Sequence, residues 1–204
     1  EAGLRRGRFL ASHGNFILQN APFPVTQARL QFAQQCVPIY RRFFPAVLQE
    51  IEGLAEGQGC APQALQAILF SMYAMPPASC CSCFAVSNGA QAFLARNSDF
   101  LLALQHWNGN VIYRLDGRCF HFTGNTTAFV EIEDGVNEHG LAAGLTSVSP
   151  GRIQPGLNAG MLLRLMLETC RTVEQALALA RRVPIATAQT LTLGDAGGAI
   201  AVLE

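Results

Sequence analysis

Lysine is absent from this chain of 204 residues, and all 14 of its basic residues are arginine. Its absence excludes a lysine nucleophile and a Schiff-base mechanism that uses a lysine amine. Charged residues make up only 14% of the chain and the formal net charge is zero, which argues against nucleic acid or an anionic membrane as a partner. The sequence also has no apolar run long enough to span a bilayer. With 50% hydrophobic residues, it is typical of one sizeable core, alone or with a helical lobe.

The seven cysteines are odd in number and have no regular spacing, which argues against a disulfide framework. We therefore expect a reducing, cytoplasmic environment, although a signal peptide removed from the mature chain is also compatible with the sequence. Cys80-Cys81-Ser82-Cys83 is the closest approach to a metal motif. Adjacent strand residues point to opposite faces, and no CxxC or histidine pair completes a tetrahedral set, so the sequence favours no metal site.

The period of the hydrophobic pattern changes once along the chain. Residues 1–75 are predicted to be mostly helical, with the basic run at 5–8 on a solvated face, and Pro38 and Pro45 should kink or divide the first long helix. Pro76-Pro77 should end this region in an extended segment. Strands are then predicted at about 82–87, 91–97, 110–115, 118–123, 127–133 and 141–148, with turns at Asn88-Gly89, Asn108-Gly109, Asp116-Gly117 and Gly124-Asn125. Helices at 157–169 and 172–182 and a hairpin at 188–203 complete an α+β pattern.

The most informative stretch is a predicted hairpin that begins at adjacent cysteines. Asn88-Gly89 lies between two apolar runs, and this dipeptide favours a hairpin because both residues accept positive φ. The far ends of such a hairpin come back together. We therefore expect Arg96 and Asp99 to lie near Cys80 and Cys81.

A thiol in that setting is suited to nucleophilic catalysis, because a nearby cation or amine favours the thiolate. If the chain were cut just before the cysteine, the new α-amine, with an ordinary pKa of ~8, could act as the base. Asp99 could hold that amine, and Arg96 could hold Asp99 or stabilise the thiolate.

These motifs, taken in order, resemble the N-terminal nucleophile (Ntn) hydrolases. The resemblance is to the branch that holds acyl-CoA:6-aminopenicillanate acyltransferase, acid ceramidase-like amidases and choloylglycine hydrolase. Residues 48–57 resemble the helical pro-segment of the acyltransferase group. The motifs that carry the resemblance are Cys-Ser-x-Phe-Ala at 81–85, Asn-Gly at 88–89, Ala-Arg-Asn-x-Asp-Phe at 95–100 and the run from Asp134 to Leu145.

The resemblance implies a four-layer αββα sandwich with a helical pro-segment at 1–80 and the hydrolase core at 81–204. It implies a precursor that is activated by autocleavage between Cys80 and Cys81, with Cys81 then attacking a linear non-peptide amide to form an acyl-enzyme. Backbone N–H groups near Ser82 and Thr146 would hold the oxyanion. The chemistry requires no metal or cofactor. The implied partner is a small amide with an apolar acyl group, and a homo-oligomer is compatible with the sequence.

Two alternatives for the catalytic groups stay open. The acyltransferase spacing back from Asp99 favours Cys81 as the nucleophile, whereas the choloylglycine hydrolase spacing favours Cys80. Cys83 shares the face of Cys81 and is expected to be a core residue. A papain-like dyad of a cysteine with a histidine is the other alternative, and its candidates are His106, His121 and His139.

Two departures from the family pattern motivate a non-enzymatic alternative. Thr146 stands where choloylglycine hydrolases carry an oxyanion asparagine. In addition, the strand at 199–203 is followed in the relatives by a stretch with a further asparagine, whereas this sequence ends at Glu204. We therefore expect the core to be incomplete at its C-terminal side. A degenerate member that binds a small acyl ligand or a partner chain is the alternative to an amidase or acyltransferase.

Overall fold

The computed structural model describes residues 1–75, 80–89, 91–99, 102–115, 119–148 and 151–204. For Cys80, Ala103, Leu104 and His106 it describes the backbone but not the side chain. The extended segment expected at Pro76-Pro77 and the turn expected at Asp116-Gly117 lie outside the described residues.

The N-terminal region is helical, as the sequence predicts, and each helix boundary has a local cause. The Thr26 hydroxyl accepts a hydrogen bond from the Arg29 N–H, and Gly59 ends a helix with a φ of 64°. Pro45 divides two helices, whereas Pro38 is accommodated inside one. The helices are α1 (Ala2–Ser12), α2 (Gln27–Phe43), α3 (Pro45–Gln58), α4 (Pro62–Ser71), α5 (Ala159–Thr169) and α6 (Val173–Ala180), with a 3₁₀ helix at Leu102–Trp107.

Helix α1 packs directly against α3, so the predicted solvated face at the N-terminus is wrong in part. Glycines on both helices let the backbones touch. A Cβ added at Gly7 would lie 2.5 Å from the carbonyl oxygen of Leu54, and one added at Gly57 would lie 2.6 Å from the backbone nitrogen of Arg8. The Arg6 side chain turns inward, and its guanidinium donates to the carbonyl oxygen of Phe129 at 2.8 Å. The glycine spacing, rather than the arginines, was the signal for this contact.

The strands form two antiparallel sheets within the described residues. A two-stranded sheet pairs β1 with β2, and a six-stranded sheet has the order β3-β4-β5-β6-β7-β8. The strands are β1 (Cys80–Ser87), β2 (Ala92–Asp99), β3 (Gly109–Tyr113), β4 (Phe122–Thr126), β5 (Asp134–Asn137), β6 (Ala142–Ser147), β7 (Gln189–Gly194) and β8 (Ile200–Leu203).

Two of the predicted strand positions are wrong. Gly124 and Asn125 lie inside β4 and not in a turn, because Gly124 has no side chain to collide with the carbonyl oxygen of Asp134 across the sheet. The run at 127–133 is not a strand. Its apolar residues Val130 and Ile132 are fully buried, and the Ile132 N–H donates to the carbonyl of Gly160 in α5 at 3.2 Å.

The two faces of the six-stranded sheet have different neighbours. The β1–β2 hairpin packs on one face, over β6 and β7, and α5 packs on the other. Leu145, Leu191 and Leu193 point toward α5 and are fully buried. The predicted α+β class with antiparallel sheets is confirmed. None of the described helices has both the length and the apolar character that crossing a membrane requires.

Candidate active site

The β1–β2 hairpin brings its far ends together, as the sequence predicts. Cys80 pairs with Asp99, Cys81 with Ser98, and Cys83 with Arg96. The turn itself is longer than predicted, because the second strand begins at Ala92 and not at 91.

The last pair of the ladder is Ser87 with Ala92, so the connecting loop runs over 88–91. Gly89 has a φ of 85°, and the Asn88 side chain accepts a hydrogen bond from the Gln91 N–H at 2.9 Å. The longer loop keeps the convergence, because the two strands still pair along their whole length.

Arg96 lies at the centre of the site and contacts the candidate nucleophile. Its Nη2 donates to Sγ of Cys81 at 3.1 Å, and its Nε donates to the carbonyl of Leu145 in β6 at 2.6 Å. The side chain is 3% exposed. The guanidinium thus bridges the hairpin and the six-stranded sheet, with the thiol at its outer end.

Two carboxylates hold Arg96, and the sequence motifs predict neither of them. Its Nη1 lies 3.2 Å from a carboxylate oxygen of Glu133 and 3.2 Å from one of Asp134. Burial by itself would lower the pKa of Arg96, but Glu133, the Cys81 sulfur and Asp134 outweigh it and raise that pKa. Three acidic residues within 131–134, in a chain with only 14% charged residues, were the available signal.

The Glu133 carboxylate collects hydrogen bonds from four residues. One oxygen accepts from the Tyr73 hydroxyl at 2.8 Å and from both the N–H and the hydroxyl of Thr127. The other accepts from Arg96 at 3.2 Å and from the Ser98 hydroxyl at 3.3 Å. A carboxylate has about four lone-pair positions, so Glu133 is fully satisfied and its orientation is fixed.

The Asp99 carboxylate lies on the other face of the hairpin. Because side chains alternate along a strand, Asp99 points away from the face that carries Ser98, the pairing partner of Cys81. The Asp99 carboxylate accepts a hydrogen bond from the Asn97 amide at 2.8 Å and is exposed. The structure therefore brings Arg96, but not the Asp99 carboxylate, to the thiol.

Thr146 lies on the side of β6 that faces the hairpin. Gly144, two residues earlier, meets the hairpin directly, since a Cβ there would lie 2.7 Å from Sγ of Cys83. The opposite end of β1, at Ser87, lies beside Gly198 at the other end of the sheet, so the Cys81 end of β1 lies toward Thr146. Ser82 pairs with Asn97 on the exposed face of β1.

Cys83 shares the inner face of the hairpin with Cys81, as expected, but its surroundings differ. Burial raises the pKa of the Cys83 thiol, and the Thr192 hydroxyl and Arg96 oppose that shift only in part. A thiol with a raised pKa is a weaker nucleophile source at neutral pH. Cys83 therefore has the properties of a packed core residue. The six cysteines whose side chains are described are free thiols.

The histidines make other contacts in the described part of the chain. His121 lies 3.7 Å from the carboxylate of Glu138, and the ring of His139 packs edge-on against Phe120 with 4.3 Å between ring centroids. The His106 side chain lies outside the described residues. In that same part of the chain, no group of three or more His, Cys, Asp or Glu is placed to hold a metal ion.

Comparison with known proteins identifies the family. The family model for acyl-coenzyme A:6-aminopenicillanic acid acyl-transferase matches residues 86–204, which is more than half of the chain. The chain belongs to this family. The matched range contains Arg96, Asp99 and Thr146 and begins after Cys81, and the resemblance inferred from the motifs is confirmed. No curated protein sequence matches the chain significantly.

Solved structures of related enzymes give weaker matches. Penicillin V acylase from Agrobacterium tumefaciens is 19% identical, with a TM-score of 0.42, over 61% of this chain and 46% of that one. A variant of conjugated bile acid hydrolase from Clostridium perfringens is 22% identical, with a TM-score of 0.34, over 42% of this chain and 32% of that one. The chain thus spans about half the length of the penicillin V acylase.

Proposed function

We propose that the protein is a cysteine Ntn amidase or acyltransferase that is made as a precursor and cleaves itself between Cys80 and Cys81. Residues 1–80 are the pro-segment and residues 81–204 belong to the hydrolase core. The freed amine of Cys81 takes the thiol proton as Sγ attacks the carbonyl of a linear amide, and it returns that proton to the nitrogen that leaves when the C–N bond breaks. The acyl-enzyme then passes its acyl group to water or to an amine.

The observation that carries this proposal is the contact between Arg96 and Sγ of Cys81 at 3.1 Å. A guanidinium at that distance stabilises a thiolate electrostatically, which is what activates a cysteine nucleophile. This contact is made by Cys81, and it supports Cys81 as the nucleophile.

The charges around Arg96 also support a cut before Cys81. Arg96 faces two carboxylates, Glu133 and Asp134, so these three groups carry one more negative than positive charge. That excess of negative charge would favour the positively charged form that the Cys81 amine adopts when it accepts the thiol proton. The family contains enzymes that transfer acyl groups, and family membership supports the same reaction class here.

The oxyanion donors are proposed to be backbone N–H groups near Ser82 and Thr146. The threonine in place of an asparagine does not remove a backbone N–H, which serves equally well as a donor. Asp99 is proposed to turn toward the new amine once the peptide bond that links Cys80 to Cys81 is gone.

The decisive experiment is the intact mass of the purified, incubated chain under denaturing conditions. We expect two fragments from a cut between Cys80 and Cys81, and a single uncut mass for Cys81→Ala. The matched control is Cys83→Ala, which removes a thiol from the same strand face and should still be cut.

The processed protein should also react with a thiol-directed acylating probe at Cys81 and hydrolyse a simple N-acyl amide. Cleavage before Cys80 would move the nucleophile by one residue. An uncut wild-type chain that also fails to react with the probe would overturn the enzymatic proposal in favour of a binding module.

A further inference from the structure

Tyr73 connects the helical N-terminal region to the candidate active site. It lies just beyond α4, and its hydroxyl donates to the Glu133 carboxylate at 2.8 Å. Its backbone φ is 57°, in the left-handed region that residues other than glycine rarely adopt. A non-glycine residue is strained in this region, so surrounding contacts must hold Tyr73 in place.

The protonation state of Tyr73 suits the donor role. Burial raises the pKa of its phenol well above the usual value, and the negative charge of Glu133 raises it further. The hydroxyl therefore keeps its proton across the physiological range. It donates to Glu133 throughout, while the carboxylate provides the negative charge.

A continuous series of contacts leads from Tyr73 to the thiol. Tyr73 holds one oxygen of Glu133, the other oxygen of Glu133 lies 3.2 Å from Arg96, and Arg96 lies 3.1 Å from Sγ of Cys81. Each step is a hydrogen bond to a charged group, the stronger kind of hydrogen bond in proteins. Removing the hydrogen bond from Tyr73 to Glu133 should therefore loosen the contact between Arg96 and Cys81.

Tyr73 is also close in sequence to the proposed cleavage point. Five residue steps separate Met75 from Cys80, and a chain spans at most about 3.3–3.6 Å per residue, so these two residues lie within roughly 18 Å of each other. An anchor at Tyr73 thus limits where the peptide bond before Cys81 can lie relative to Arg96.

From these contacts we propose that Tyr73 is a positioning residue of the precursor, which sets Arg96 on the Cys81 thiol through Glu133. This inference rests on the proposed function for its biological meaning. The contact itself can be tested without cleavage. The pro-segment then supplies one of the hydrogen bonds that orient the arginine.

The test compares Tyr73→Phe with Tyr40→Phe, because each change removes one hydroxyl from a tyrosine of the helical region. The Tyr40 hydroxyl is buried and makes no hydrogen bond of ordinary geometry to a described residue. Two rates are measured on each freshly purified variant. They are alkylation of Cys81 by iodoacetamide, localised by fragment-ion mass spectrometry, and formation of the two cleavage fragments.

For Tyr73→Phe we expect Cys81 alkylation to slow by about tenfold or more, the size of a lost hydrogen bond to a charged group. Alkylation of Cys60 and Cys119 should stay unchanged, which a general loss of structure would not allow. In a Glu133→Ala background, which has no side-chain oxygen for Tyr73 to donate to, Tyr73→Phe should have little further effect. Tyr40→Phe should match the wild type.

Equal Cys81 alkylation in Tyr73→Phe and the wild type would overturn the positioning role. So would an additive effect of Tyr73→Phe in the Glu133→Ala background. If the wild type is never cleaved, the proposed self-processing fails, while the alkylation rates still decide whether Tyr73 acts on Arg96. If the wild type is cleaved, fragment formation in Tyr73→Phe should slow by about tenfold or more, because each orienting hydrogen bond acts on the reacting geometry.

Discussion

Two buried arginines, Arg96 and Arg164, have similar partners but differ in one contact. Arg164 lies in α5 with 1% of its side chain exposed. It donates to Glu50 of α3 at 2.5 Å, to Glu168 at 2.7 Å and to the carbonyl of Val130 at 2.8 Å. All of these acceptors are oxygens, and they tie α3 of the helical region to the core. The cluster has the geometry of a structural ion pair.

Arg96 is buried to almost the same degree and also faces two carboxylates, Glu133 and Asp134. Its remaining amino group, however, points at the sulfur of Cys81. The carboxylates fix the guanidinium in both clusters. The contact with the thiol of Cys81 therefore distinguishes Arg96, a candidate catalytic arginine, from Arg164, a structural one. Burial and charge alone do not separate them.

The largest effect should come from Arg164→Met, because it leaves Glu50 and Glu168 buried without a cation. We expect the free energy of unfolding to fall by about 3–5 kcal/mol. Urea unfolding in a Cys81→Ala background measures this without interference from cleavage. Arg181→Met removes an exposed arginine and should change stability by less than about 0.5 kcal/mol. A loss as small as that at Arg164 would mean that the two carboxyls find other partners.

A smaller loss of stability and a larger loss of activity should follow Arg96→Met. Glu133 keeps its hydrogen bonds from Tyr73 and Thr127, so we expect a decrease of about 1–3 kcal/mol in the same background. Cleavage in the otherwise wild-type chain should slow by about 100-fold or more, the usual cost of removing a charge-stabilising donor. If Arg96→Met lowered the free energy of unfolding as much as Arg164→Met and the variant were still cleaved at the normal rate, both arginines would be structural.

The sequence could predict the half of this site that is local. Cys81, Arg96 and the pairing between their strands lie within one hairpin, whose ends must meet whatever its turn. Asn88 and Gly89 gave the right topology even though the loop proved longer than two residues. Short-range pattern is enough where the contacts are short-range.

The other half could not be predicted, because it depends on how distant elements stack. Glu133 reaches Arg96 only because the hairpin packs over β6, and Tyr73 reaches Glu133 only because α4 ends beside that segment. The apolar run before Glu133 also has the composition of a strand. Its pairing with α5, seen in the bond from Ile132 to Gly160, overrides that preference.

Glu131 is a buried carboxyl that, unlike the carboxylates of both clusters, has no arginine as a hydrogen-bond partner among the described residues. Glu131 is fully buried, and among the described residues neither of its oxygens makes a hydrogen bond of ordinary geometry. Burial raises its pKa well above the usual value, the charge of Glu133 adds to the shift, and the nearby Asn158 amide opposes it. Between its unfolded pKa near 4.5 and its raised folded pKa, the native state binds a proton that the unfolded chain has lost, so stability falls as pH rises.

Glu131→Gln should remove that dependence, and the stability of the variant relative to wild type should rise by up to about 1.4 kcal/mol per pH unit. Urea unfolding between pH 5.5 and 7.5 measures the difference, with the exposed Glu174→Gln as a control that should show no slope. A flat difference at Glu131 would show that this carboxyl is ionised in the folded protein. In that case, burial without a neighbouring arginine would not be enough to keep the Glu131 carboxyl neutral. The guanidinium groups of Arg96 and Arg164 would then not explain why their carboxylate partners are charged while the rest of the core is not.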